Sequence, residues 1–233
     1  MTALYILDRA EAPIPETAAG MLPSWRRQKL EPLKNENARQ ECLCAGLLFL
    51  FAAKRRGLSP DEPVTLLPAG KPVFAGRNDH FFSLSHSGRF VLCAFAVSPV
   101  GADIQQIRPF SPGILRRFSS GEQAFFHALP QEERQAAFFR LWTRKEAWVK
   151  AVSGSRMVSL SESDVTAPLP GLHFFDFAPA EGYAAALCGA DSAPPSVLTL
   201  TTHELLCSPE LTDRHTRSEK NTQTGSVLSG GNM

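Results

Sequence analysis

Two acidic residues of this sequence stand in settings that suit metal-assisted chemistry. Asp103 lies in an apolar stretch of strand character at residues 100–104, and Glu146 lies in a lysine-containing helical stretch at 142–150. Mg²⁺ in proteins is held by one or two carboxylates together with the phosphates of a substrate. The two acids therefore predict an enzyme that holds a divalent cation against a diphosphate.

The residue two positions after Asp103 offers a further oxygen ligand. Alternate side chains of a strand share a face, so Asp103 and Gln105 project together with their Cα atoms roughly 6.6 Å apart. Both side chains can then face one ion. The alternative, an Asp and a Gln on a solvated strand face, stays open on spacing alone.

Glu146 falls at the edge of the apolar stripe of its helix, one turn after Trp142 and one turn before Lys150. A half-buried carboxylate needs a partner. A metal ion is one candidate. Lys150 is the other, because Glu placed four residues before Lys forms the favoured helical ion pair, worth about 0.3–0.5 kcal/mol when exposed.

Glu122 has a structural interpretation beside a chemical one. Ser119 followed by Glu122 is the capping-box pattern, in which both side chains bond to the backbone at the start of a helix. The pattern predicts a helix start here, and a role for Glu122 as an acid of the site remains an alternative.

A polar cluster at residues 85–89 suits a phosphate. It combines hydroxyl groups, an imidazole and a guanidinium, which are the donors that phosphate monoesters take. An ordinary hairpin turn is the alternative. The cationic residues upstream and in the cluster are Arg26, Arg27, Lys29, Arg39, Lys71 and Arg89.

Bulk composition narrows the class of protein. The formal charge of the 233 residues is +1, so no global basic field points to nucleic acid. The cysteines are odd in number and mostly lie in apolar runs, which indicates reduced thiols and a cytoplasmic setting. The uncharged stretch 42–53 is shorter than the roughly 20 residues that span a bilayer, so we expect no membrane association.

Patterning predicts a mixed α+β fold. We expect a helix from the N-cap Asn35 to Gly57, a three-stranded meander over 81–107 and a helix over 131–152. Residues 173–188 are similar in sequence to residues 80–93, which indicates either two similar halves or two ordinary hairpins. Residues 208–233 have a composition typical of a disordered tail. Further strands are expected at 3–7, 172–177, 183–188 and 197–202.

Taken in order, four motifs resemble the 4'-phosphopantetheinyl transferase superfamily, of the surfactin-synthetase-activating type. Together they span about residues 70 to 154, with a helix bearing Arg39 before them and the strand 182–188 after them. Each motif is weak by itself, but their order is specific. The motifs are Gly70-Lys71-Pro72, residues 82–88, residues 100–104, and residues 142–147 with Lys150.

This resemblance implies two similar α/β halves related by a pseudo-twofold, at residues 1–99 and 100–207, with coenzyme A between them. It implies transfer of the phosphopantetheine arm from coenzyme A to a serine of an apo acyl or peptidyl carrier protein, as a holo-acyl-carrier-protein synthase does. The carrier would serve fatty acid, polyketide or nonribosomal peptide synthesis. We expect a monomer that uses Mg²⁺ or Mn²⁺.

The family's site residues map onto this chain by motif. Asp103 and Glu146 would bind the metal, with Gln105 and Glu122 as further candidates. Glu146 could also help to deprotonate the serine, and Lys150 would stabilise charge on the bridging phosphate region. The phosphates of coenzyme A would be held by Lys71, Ser85, His86, Arg39 and Arg27.

The departure from the family pattern is Gln105, since many relatives carry a second acid there. A neutral amide removes one negative charge, which should weaken metal binding. A catalytically weak coenzyme A or carrier-binding module therefore stays open, as does a metal-dependent phosphodiesterase. The apolar stretch 110–118 is a candidate docking surface for the carrier, although core packing is the commoner fate of such a stripe.

Overall fold

The computed structural model of the chain describes residues 1–67, 70–154 and 158–212. Its strands are β1 Ala3–Asp8, β2 Val64–Leu66, β3 Pro72–Phe74, β4 Phe81–Ser87, β5 Phe90–Ala96, β6 Val100–Gln106, β7 His173–Phe177, β8 Tyr183–Gly189 and β9 Ser196–Thr201. Its α-helices are α1 Ser24–Leu30, α2 Glu36–Arg55, α3 Ser120–Ala128, α4 Arg134–Val152, α5 Thr202–Leu206 and α6 Pro209–Thr212.

The long helices form where the local signals predict them. The Asn35 side chain accepts a hydrogen bond from the backbone N–H of Ala38 at 3.0 Å and so caps α2. Residues 42–53 of α2 are buried on all sides, as expected for an apolar core helix. Ser119 and Glu122 make both bonds of a capping box at the start of α3.

Two main β-sheets, each covered by a long helix, carry the fold, which confirms the mixed α+β class. The first sheet has the order β4-β5-β1-β9, in which β9 runs parallel to β1, and the second has the order β6-β8-β7. Helix α2 packs on the first sheet and α4 on the second. The order β4-β5-β1 with α2 thus corresponds to β7-β8-β6 with α4. The pseudo-twofold relation between the halves remains a prediction.

The predicted three-stranded meander is wrong at its third strand. β4 and β5 form the expected hairpin, but β6 pairs with β8 in the other sheet. Serine hydroxyl groups of β4 occupy the free edge of β6, where they accept the N–H groups that a neighbouring strand would otherwise take. The strand therefore belongs to the second sheet and still lies against the first.

The division into halves at residues 1–99 and 100–207 remains a prediction. After β8 the strand β9 and the helices α5 and α6 return to the first sheet and to α2. Leu211 of α6 is 5 % exposed within the first core, so the predicted disordered tail does not begin at Ser208. Its remaining part, residues 213–233, lies outside the described residues.

The candidate docking stretch 110–118 is packed into the second core. Phe118 is 2 % exposed, and the ring of Phe110 stacks on that of Phe138 with 3.8 Å between centroids. Core packing is thus the observed fate of this stripe.

The five cysteines are free, and all except Cys207 are buried, as the odd count and apolar settings predict. Within the described ranges, no helix combines the length and apolar character that crossing a membrane requires.

Candidate active site

Strand β6 presents Asp103 in a nearly sealed position where three neighbours orient its carboxylate. Asp103 is 3 % exposed. Its Oδ1 accepts hydrogen bonds from Ser85 Oγ and from Lys150 Nζ, each at 2.7 Å, and its Oδ2 accepts one from Gln105 Nε2 at 3.1 Å. A buried carboxylate with this many donors is held in one orientation.

Helix α4 brings Glu146 and Lys150 to the same place from the opposite side. The two residues lie one turn apart, and α4 packs directly against β6. Lys150 Nζ donates to the carbonyl of Ala102 at 3.0 Å as well as to Asp103. The strand acid and the helix acid that the sequence singles out are therefore neighbours.

Gly101 permits this close approach of helix and strand. A Cβ atom at Gly101 would lie 1.9 Å from the carbonyl oxygen of Ala147 and 2.6 Å from the backbone nitrogen of Ala151. Both are backbone atoms of α4, so no change of rotamer could relieve the contact.

We expect Gly101→Ala to displace α4 from β6 and to lower the free energy of unfolding by about 1–3 kcal/mol. The displacement would also separate Lys150 from Asp103. Urea unfolding followed by circular dichroism measures the loss of stability. Gly154→Ala is the matched control, since a Cβ there meets nothing within 4 Å. Equal stability of both variants would contradict this account of the contact.

Glu146 is half-buried on the wall of a cavity, and its pKa is raised above the ordinary value. Burial is the main cause, and the charge of Asp103 adds to it, while Lys150 acts in the opposite direction. Asp103 lies behind the cavity wall and Glu146 lies on it, and two carboxylates that repel each other in this way form an arrangement that a cation would stabilise.

The donor set suits an ion that takes most of its ligands from a substrate. Within residues 1–67, 70–154 and 158–212, no three His, Cys, Asp or Glu side chains come together as a metal cluster. Two carboxylates are what Mg²⁺ takes when phosphates and water supply the other positions. Gln105 is present as a hydrogen-bond donor to Asp103, so its observed contact is not that of an oxygen ligand.

The cavity has a volume of about 820 Å³ and carries cationic groups from both halves. Lys29 comes from α1, Lys71 from the start of β3, and Lys150 from α4. Lys71 Nζ donates to the carbonyl oxygens of Val100 and Lys150. Burial, and secondly the charge of Lys150, lower the pKa of Lys71 to about 8. Such a cavity suits an anionic ligand.

His86 stands at the rim, where its side chain is 42 % exposed and its Nδ1 lies 3.4 Å from Glu41 Oε2. It lines the first cavity and also a second cavity of about 900 Å³, which Gln105 and Arg89 line as well. The predicted hairpin turn is present, since Gly88 connects β4 and β5 with a φ of 55°.

The structure does not bring Arg39 and Arg27 to the cavity wall. Arg39 forms an ion pair with Glu16 at 2.9 Å and donates to the carbonyl of Leu33 at 2.9 Å. Arg27 is exposed on α1. On that helix Trp25, Gln28 and Lys29 line the cavity instead, and their i, i+3, i+4 spacing is the sequence signal that identifies this face.

Glu122 lies in a different part of the second half. Its Oε1 is 2.7 Å from Lys145 Nζ, and both side chains are 0 % exposed. The same carboxylate accepts the N–H groups of Val165 at 2.8 Å and Ser119 at 2.9 Å. These partners occupy its oxygens, so the capping-box interpretation is confirmed and we exclude Glu122 from the proposed metal site.

Comparison with known sequences agrees with this geometry. The family described as the 4'-phosphopantetheinyl transferase superfamily matches residues 99–189, which include both acids and Lys150. The chain is 32% identical over 152 residues to 4'-phosphopantetheinyl transferase Sfp of Bacillus subtilis strain 168, across 59% of this chain and 67% of the relative. It is 36% identical over 142 residues to 4'-phosphopantetheinyl transferase AcpT of Salmonella typhimurium, across 59% of this chain and 70% of the relative. On this evidence the chain belongs to the 4'-phosphopantetheinyl transferase superfamily.

Proposed function

We propose that this protein transfers the 4'-phosphopantetheine arm of coenzyme A to a serine hydroxyl of an apo acyl or peptidyl carrier protein and releases adenosine 3',5'-bisphosphate. The observation that carries the proposal is the meeting of Asp103, Glu146 and Lys150 beside a cavity with cationic walls. All three residues fall in the segment that matches the superfamily.

Lys29, Lys71 and His86 are the groups that would hold the phosphates, because they line the cavity and come from separate elements. Asp103 and Glu146 would hold Mg²⁺. When bound, the ion neutralises charge on the diphosphate. The two carboxylates fit that role because the charge of Asp103 contributes to raising the pKa of Glu146, which shows that the two acids lie close enough to repel each other.

The transfer requires one proton acceptor and one group that stabilises the leaving oxygen. Glu146 takes the proton of the carrier serine, directly or through a water, while the serine oxygen forms a bond to the phosphorus that bears pantetheine. The bond from that phosphorus to the bridging oxygen breaks, and its electron pair leaves with adenosine 3',5'-bisphosphate. Lys150 stabilises the charge that develops on that oxygen.

Intact mass spectrometry of apo carrier proteins tests the proposal. An apo acyl carrier and an apo peptidyl carrier, each incubated with the protein, coenzyme A and Mg²⁺, should gain the mass of phosphopantetheine. A carrier with its acceptor serine replaced by alanine should gain none. The proposal would be overturned if neither carrier gained this mass with Mg²⁺ or with Mn²⁺. Release of free phosphopantetheine without a carrier would indicate a phosphodiesterase.

The depressed pKa of Lys71 predicts a pH dependence of coenzyme A use. Lys71 is protonated below about pH 8 and becomes neutral above it, so its attraction for a phosphate is lost as the pH rises. We expect kcat/KM for coenzyme A to fall as the pH passes through about 8. Lys71→Arg stays cationic throughout this range and should remove that fall. Parallel pH profiles of the two proteins would contradict a phosphate-binding role for Lys71.

A further inference from the structure

The turn between β4 and β5 contacts the second sheet through a tyrosine. Gly88 and Arg89 form this turn, which joins Ser87 to Phe90. Tyr183 is the first residue of β8, and its Oη accepts the backbone N–H of Arg89 at 3.2 Å. A backbone N–H can only donate, so the phenol oxygen is the acceptor in this bond wherever its own proton points.

The ring of Tyr183 packs against the same turn. It meets the ring of Phe90 edge to face with 4.8 Å between centroids, a geometry that aromatic pairs favour. Tyr183 is half-buried, and its cross-strand partner on β6 is Gln106. The backbone N–H of Gln106 donates to Ser87 Oγ at 2.9 Å. The second sheet therefore holds the turn at residues 87, 89 and 90.

Gly88 permits the contact between the turn and the second sheet. Its φ of 55° lies in the left-handed region that favours glycine. A Cβ atom at Gly88 would also overlap Tyr183 Oη and lie 3.0 Å from Gln106 Oε1. The glycine is thus required both by the conformation of the turn and by the close approach of Tyr183.

We propose that Tyr183 is a positioning residue that fixes the β4–β5 turn, and with it His86, relative to Asp103 and Glu146. His86 lies two residues before Gly88 and lines the cavity, whereas Asp103 lies on β6, the strand that pairs with β8. Tyr183 lies in the walls of neither of the two cavities described above, so it acts on a ligand through the turn. The inference rests on the proposed function, in which His86 holds a phosphate of coenzyme A.

The physical case is that His86 needs support from the backbone that carries it. Its side chain is 42 % exposed, and its Nδ1 lies 3.4 Å from Glu41 Oε2 at the rim of the cavity. The backbone at the end of β4 sets where the imidazole stands, and that end is the turn that Tyr183 holds. A binding group that is fixed before the ligand arrives loses less conformational freedom on binding, which favours affinity.

Calorimetric titration of coenzyme A in EDTA, without a carrier protein, tests this role. Tyr183→Phe keeps the ring and removes the acceptor of the Arg89 N–H, so the dissociation constant should rise about 2–10-fold, as for the loss of one hydrogen bond. His86→Ala should raise the dissociation constant as well. In the His86→Ala protein, Tyr183→Phe should cause no further rise, because the group that Tyr183 positions is absent.

Tyr5→Phe is the matched control, because it makes the same chemical change in the first core, where Tyr5 packs on Phe51. It should bind coenzyme A as the wild type does. An equal rise from Tyr183→Phe with and without His86 would overturn the proposal, since Tyr183 would then act independently of the imidazole. Wild-type affinity in Tyr183→Phe, or in His86→Ala, would also overturn it.

Nuclear magnetic resonance of the ligand-free protein gives a second readout. In Tyr183→Phe the backbone amide of Arg89 should exchange with solvent about 2–10-fold faster, and the imidazole signals of His86 should shift. Imidazole signals identical to those of the wild type would overturn the proposal. Neither measurement uses a carrier. A protein that shows this coupling and modifies no carrier would refute the proposed function and leave the role of Tyr183 in place.

Discussion

Asp103→Asn and Glu146→Gln should each lower the kcat/KM of phosphopantetheine transfer on the order of 10³-fold. Either substitution removes one of two carboxylates in a site that offers only a neutral amide, Gln105, beside them. Glu146→Gln also removes the proton acceptor. Both amides keep the size of the native side chain, so the fold should persist. The rate of holo-carrier formation, read by intact mass, measures the loss.

Asp176→Asn is the matched control for these variants. Asp176 is a carboxylate on β7 that pairs with Arg144 of α4 at 2.7 Å and does not line the cavity. It should retain wild-type transfer. Undiminished transfer by the Asp103 or Glu146 variant would refute the role assigned to that residue.

Gln105→Glu tests the effect of the missing acid on metal use. A third carboxylate beside Asp103 and Glu146 should lower the Mg²⁺ concentration needed for half-maximal transfer, because ligand charge raises affinity for a hard cation. The protein should therefore be active without this change and need less Mg²⁺ with it. An unchanged Mg²⁺ requirement would show that residue 105 does not act on the ion.

The sequence predicts the helix starts, because a helix cap is formed by residues that are close together in the chain. Asn35 caps α2 and Ser119 caps α3, because a cap depends on residues three positions apart. The assignment of β6 to the second sheet was not predictable in this way. The N–H groups of β6 on the side of the first sheet donate to serine hydroxyl groups of β4 and not to the backbone of a neighbouring strand. The alternation of apolar and polar residues in a strand carries no signal for such side-chain acceptors. The return of β9 to β1 joins residues too distant in sequence for any local pattern.

In the site, too, the features set by local spacing were predictable and the contacts between distant elements were not. Residue type and spacing made Asp103 and Glu146 candidate metal ligands, and helical periodicity placed Glu146 and Lys150 one turn apart on one face of α4. Periodicity cannot say what lies opposite that face. The ion pair of Arg39 with Glu16 and the hydrogen bond from Ser85 to Asp103 therefore had no signal in the sequence. These partners come from other elements and emerge only when the chain is folded.

Lys145 and Lys150 lie on the same helix, yet the structure gives them opposite roles. Lys145 is 0 % exposed, pairs with Glu122 at 2.7 Å and donates to the carbonyl of Leu160 at 2.6 Å. Lys150 is 24% exposed at the cavity. Lys145 joins α4 to α3 and to the segment after α4, whereas Lys150 lies on the wall of the cavity beside Asp103.

Lys145→Met should therefore lower the free energy of unfolding by about 3–5 kcal/mol, because it leaves the carboxylate of Glu122 buried without its cation. Lys150→Met should lose transfer activity and a smaller part of its stability, because Lys150 is 24 % exposed and Asp103 keeps its hydrogen bonds from Ser85 and Gln105. Urea unfolding and the carrier assay measure the two effects separately. The double variant Lys145→Met with Glu122→Gln should lose less than the sum of the single variants, since the neutral amide needs no counter-charge. Additive losses, or a Lys145→Met protein as stable as wild type, would show that the pair is not the buried tie between these helices.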